Sequence, residues 1–191
     1  MIEVNKTINE DEKDILRSLV GSTILVLEAA LAAPPEIAWN TVRVHTDSGS
    51  IDVSCLLESM PVGLEGNDDE HGVVSIARAP AEPLEVLGIS ADTSSHEVNK
   101  LVTGVGVVND RMEVYENGEL GYRSVTTKAI VLFTEAGTLV FDRQAWFDET
   151  LAIGWGEDPK KLVFDEWAGW EDDEEEEPGI HYDTSWELVR L

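Results

Sequence analysis

The residues best equipped for chemistry are four scattered histidines set among a dense population of carboxylates. His71 is the most suggestive, because Asn67, Asp68, Asp69 and Glu70 precede it. Carboxylate oxygens and an imidazole nitrogen are ligands for a divalent cation, so Asp68, Asp69 and His71 are the metal-site candidates. Five adjacent loop residues do not all point inward, however. Their spacing also differs from a calcium loop, which needs acids at alternate positions and a distal glutamate. A solvated acidic loop is the preferred reading, and no metal or cofactor is expected. His181 with Asp183, and His45 with Asp47, are spaced as proton-handling pairs. Neither has a nucleophile nearby in sequence, so both read as structural. Among 39 carboxylates no general acid–base pair singles itself out.

Cofactor and nucleophile motifs are missing. Gly104-Val105-Gly106-Val107-Val108-Asn109 lacks the third glycine of a dinucleotide fingerprint. There is no phosphate-loop Gly-Lys-Ser/Thr, no His-Glu-x-x-His and no Gly-x-Ser-x-Gly. The single cysteine, Cys55, excludes a thiolate zinc site. No catalytic residue is assigned, and the chain reads as non-enzymatic.

The densest chemical feature is the stretch from Asp142 to Leu191, which carries −12 of a total charge of −26 and five of the six tryptophans. Seven consecutive acids follow Trp167 and Trp170. Aromatic anchors beside concentrated negative charge suit docking of a cationic partner. The candidate contact residues are Trp167, Trp170, Glu171, Asp172, Asp173, Glu174, Glu175, Glu176 and Glu177. The competing reading makes the two tryptophans a lid over the core. Trp39, Trp146 and Trp155 lie in apolar, strand-like contexts and are expected in the core.

Composition bounds the partners. A chain of 191 residues suits a single domain over 1–191 with a core large enough to need no disulfide. A charge of −26 repels nucleic-acid phosphates and anionic lipid, so direct nucleic-acid binding and membrane association are not expected. The longest apolar stretch, Ile24 to Ala33, is too short to cross a bilayer. One cysteine and an opening without a positive n-region point to a cytoplasmic setting. The leading expectation is an acidic binding protein that engages a basic protein, of inhibitor, immunity or nucleic-acid-mimic type. The alternatives are a β domain binding a small molecule or divalent metal, and a domain whose acidity is proteome background.

The elements that must position these residues are mostly strands. Thr7 to Gly21 reads as a helix, with a capping box from Thr7 and Glu10 or from Asn9 and Glu12, and an apolar stripe of Ile15, Leu16, Leu19 and Val20. Ile37–Thr46 and Ile51–Cys55 alternate around a turn and predict a hairpin. Pro61 to Gly72 reads as a loop, Leu84 to Ser90 as a strand and Asp92 to Ser95 as a turn. Asn117-Gly118 between alternating runs predicts a second hairpin. Near-continuous apolar arms around Glu135-Ala136-Gly137 predict a third, either as central strands covered on both faces or with one strand beneath a helix. Thr150–Trp155 and His181–Leu191 read as strands, and 171–179 as an acidic surface loop. The expected fold is α+β and mainly antiparallel β, with one N-terminal helix on a sheet or partial barrel of about eight strands built from successive hairpins.

Overall fold

The described residues build ten strands, one short α-helix and one 3-10 turn, in a mixed sheet whose pairings run full circle. The computed structural model describes residues 1–33, 37–84, 93–164 and 179–191. In chain order these are β1 (Ile2–Lys6), α1 (Glu10–Arg17), β2 (Thr23–Ala33), β3 (Ile37–Thr46), β4 (Gly49–Val62), β5 (Asn67–Arg78), β6 (Thr93–Glu116), β7 (Glu119–Thr134), β8 (Gly137–Arg143), β9 (Thr150–Gly156) and β10 (Ile180–Arg190). The 3-10 turn is Pro159–Lys161. The α+β, mainly β reading is the fold that forms.

The circuit runs β6–β7–β8–β9–β3–β2 and back to β6. The 24-residue β6 closes it by serving two neighbours in turn. Its first part, Thr93–Leu101, pairs with β2, and Val102–Glu116 pairs with β7. Lys100 lies opposite Ile24 but Glu97 lies opposite Val26, so β6 carries one extra residue between them. Asn99 within this bulge takes a left-handed φ of 52°. A bulge bends and over-twists a strand, which closing a sheet requires. β3 changes partner in the same manner at Asn40 (φ 30°): residues 37–39 pair with β9 and 41–46 with β4.

Local chemistry explains the turns. Asn117 and Gly118 both have positive φ, 51° and 84°, the geometry a two-residue hairpin needs. α1 starts at Asn9, whose side chain accepts from the Glu12 amide while the Glu12 carboxylate accepts from the Asn9 amide. Of the two capping boxes compatible with the sequence, this one forms. Leu16 and Leu19 enter the main core, whereas Val20 on the same expected stripe is 48% exposed. The other Glu12 oxygen accepts from the Ile76 amide and ties the helix to β5.

The third hairpin is covered on both faces. Ile130, Leu132, Leu139 and Phe141 face the main core inside the circuit. Ala129, Val131 and Val140 lie beneath Val163, with Leu162, Trp186 and Leu188 packed alongside. That double burial is why these arms read as unbroken apolar runs.

Several expectations need correction. The described residues form ten strands where about eight are expected; β1 holds only Val4 fully in the core and lies parallel to β7, a pairing no hairpin rule anticipates. Residues 61–72 are not a loop, because β4 and β5 extend through them and only residues 63–66 turn. Thr93 to Ser95 are strand, not turn. The strand expected at Leu84–Ser90 and the loop expected at 171–179 fall outside the described residues, apart from Leu84 and Gly179. Among the described residues no helix is long and apolar enough to cross a membrane.

Candidate functional site

Two clusters inside the circuit hold polar side chains against the apolar core. The first is centred on Arg143, at the end of β8. Its guanidinium is fully buried, donates to Asp110 Oδ2 at 2.6 Å and to the Gly72 carbonyl at 2.9 Å, and reaches Thr126 Oγ1 at 3.3 Å. Asp110 also accepts from Thr126 Oγ1. Three strands, β5, β6 and β7, are thereby joined to β8 by one cation. Gly72 is required at the seam: a Cβ there would meet the Asp148 carbonyl at 2.6 Å, and the Gly72 amide donates to the Trp146 carbonyl at 2.7 Å. Beside it His71 is buried, edge-on to Trp146 at 4.1 Å and to Phe147 at 5.3 Å. Burial, and then the positive charge of Arg143, push His71 down to about 4. The ring is neutral at pH 7 and acts as a flat core residue. Nearby, Lys128 and Asp142 form a second buried pair at 3.5 Å, and Asp142 accepts from the Phe164 amide at 2.7 Å.

The second cluster is a cavity of about 590 Å³ at an open part of the circuit. Its floor comes from the main core: Leu27 and Ala29 of β2 and Leu139 of β8, with Leu31, Val98 and Ile153 half-buried around them. Cross-strand partners share a face of a sheet, so pairing fixes which polar residues look inward. Lys100 lies opposite the fully buried Ile24, His96 opposite Leu27 and Ser94 opposite Ala29. Ser94, His96 and Lys100 therefore belong to the inner face. Glu97, the carboxylate among the lining residues, adjoins His96 and faces the other way. Trp155 lies opposite Leu139, which places its indole on the inner face at the rim, 44% exposed. Among the described residues no carboxylate pairs with Lys100.

β8 links the two clusters. Its inner face presents Leu139, Phe141 and Arg143, whose partners on β9 are Trp155, Ile153 and Leu151. Leu139 is cavity floor and Arg143 is the buried cation, about 13 Å along the strand from strand rise. The fully buried Phe141 ring stands between them and separates the pocket from the ion pairs.

The residues singled out by sequence scatter. Asp68 and Asp69 are exposed on β5, while His71 two residues later is buried against Trp146. Among the described residues no three His, Cys, Asp or Glu side chains are placed to hold a metal. His45 bonds Ser50 at 2.9 Å and Glu28 at 3.0 Å, while Asp47 accepts from the Thr23 amide. His181 and Asp183 are both exposed on β10. Trp146 is a core residue as expected, but Trp39 and Trp155 are 37% and 44% exposed. Trp167, Trp170 and Glu171 through Glu177 lie outside the described residues. The cavity residues went unread because Ser94, His96 and Lys100 alternate with Ser95, Glu97 and Asn99, so neither face of that segment looks apolar.

Compared with known proteins, the chain matches no family model, no curated protein and no solved structure.

Proposed function

We propose that this chain is a non-enzymatic β domain that holds a small, mainly apolar molecule in the cavity between β2, β6, β8 and β9. The observation that carries this reading is the cavity itself. It opens onto the main core through Leu27, Ala29 and Leu139, and its volume of about 590 Å³ lies in the range of small-molecule pockets. A few polar groups over an apolar floor are the usual makeup of a ligand site. Ser94 and His96 share the inner face, but among the described residues no hydrogen bond joins a serine to the imidazole, so the lining favours binding over turnover. Among the described residues the pocket lining includes one histidine, His96.

The test is a titration with Nile red, a neutral dye that fluoresces in apolar surroundings. Wild type should raise its emission saturably. Val98→Trp, which puts an indole into the half-buried wall, should remove most of the rise while keeping the unfolding midpoint. Equal emission from both proteins would place the dye elsewhere and remove the support for this reading.

The acidic-docking proposal keeps its motivation in the net charge of −26 and in the acids from Glu171 to Glu177. Complementary charge would make association with a basic protein fast and salt-sensitive. A partner affinity unchanged between low and high salt would count against it.

A further inference from the structure

Resting on the cavity reading, the polar groups of the inner face narrow the chemistry of the ligand. We propose that the cavity takes an aliphatic monocarboxylate, its tail on Leu27, Ala29, Leu139 and Ile153 and its carboxylate against the Lys100 ammonium. This chain has 13 bases against 39 acids, so a lysine held on an inner face with no carboxylate beside it, among the described residues, is against the grain of its composition. Most of the buried or half-buried cations are used up: Arg43 by Asp52, Arg123 by Glu113, Lys128 by Asp142 and Arg143 by Asp110. Among the described residues, Lys100 is the cation left facing an apolar floor.

Ser94 and His96 stand on the same face of β6 but about 20 Å and 13 Å along the strand from Lys100, so they line the far part of the cavity and leave the ammonium as the group that meets an anion. The lining carboxylate, Glu97, faces away. The overall negative charge does not forbid an anion. Solvent-exposed charges farther than about 8 Å are largely screened at physiological salt, whereas an ammonium in contact is not. The lysine stem packs along apolar surface while its head meets the charge. Trp155, opposite Leu139, gives the tail an aromatic wall at the rim.

Dodecanoate and dodecanol separate the parts of this proposal, since they share a tail and differ at the head group. Each is titrated calorimetrically into wild type and Lys100→Met below its aggregation concentration. Wild type should bind dodecanoate at least about tenfold more tightly than dodecanol, and Lys100→Met should bring the two within about twofold by weakening dodecanoate alone. An unchanged unfolding midpoint in Lys100→Met shows that the variant is folded. If wild type binds both with equal affinity, or prefers dodecanol, the carboxylate assignment is overturned and the cavity reading stands. If the preference survives in Lys100→Met, the assignment to Lys100 is overturned. If wild type binds neither, the proposal and the cavity reading fall together.

Discussion

Arg143 and Lys100 are both cations turned into the same circuit of strands, and they are treated in opposite ways. Arg143 is fully buried and its donors reach one carboxylate, one carbonyl and one hydroxyl. Lys100 is half-buried at an opening, over apolar side chains, with no carboxylate against it among the described residues. A buried charge is tolerable only when its partners are fixed, so the Arg143 cluster locks four strands and has no capacity to spare. A cation at an opening keeps that capacity. The contrast separates a region built to hold the sheet together from a region built to receive something.

The largest effect should come from breaking the locked region. Arg143→Met leaves Asp110 buried without its cation and the Gly72 carbonyl without its donor. The expected loss is about 3–5 kcal/mol, read as a lower midpoint in urea. A loss below about 1 kcal/mol would mean that the cluster does not hold β5 against β6, β7 and β8.

His71 gives a pH test of the same region. Its folded value, about 4, lies below the ordinary 6.5, so between these limits the unfolded chain binds the extra proton. Stability is therefore full above pH 6.5 and falls as the pH drops toward 4, by an amount of order 3 kcal/mol. Glu113, held down to about 2 by Arg111, moves on a separate range. Its contribution is intact above its unfolded value and declines only below about 4.5. The fall between pH 6.5 and 4.5 should thus flatten in His71→Leu, measured by urea titrations across that range.

Gly72→Ala sharpens the packing side of the comparison. The new methyl meets the Asp148 carbonyl at 2.6 Å, and the expected cost is on the order of 1–3 kcal/mol in the same denaturation assay. The smallest effect belongs to the open region. Lys100→Met should change stability by less than about 0.5 kcal/mol, because no ion pair among the described residues is lost. A cost near that of Arg143→Met would erase the distinction between the two clusters.

The sequence was most readable where one local rule decided the outcome. Asn117-Gly118 set the β6–β7 hairpin, and the double-faced arms of β7 and β8 showed as unbroken apolar runs. It was least readable where geometry depends on distant strands. Lys100 faces inward only because β6 changes from β2 to β7 along its length and carries an extra residue at its bend. The Arg143 cluster unites residues from positions 72, 110, 126 and 143, a convergence that no spacing rule reports. Trp155 sits within an apolar alternation, but a place on the inner face at the rim leaves it partly open. Asp68, Asp69 and His71 are close in sequence but do not converge on β5: Asp68 points to the opposite face, and Asp69, on the same face as His71, stays exposed while His71 is buried against Trp146.

The most direct test of the cavity reading is hydrogen exchange on wild-type protein with and without saturating Nile red. Protection should rise over Leu27–Leu31, Ser94–Lys100 and Ile153–Trp155, and remain unchanged over Asp68–Gly72 and around Arg143. Protection gained instead near the exposed Phe147 or Tyr182, or gained nowhere, would contradict a ligand site on the inner face.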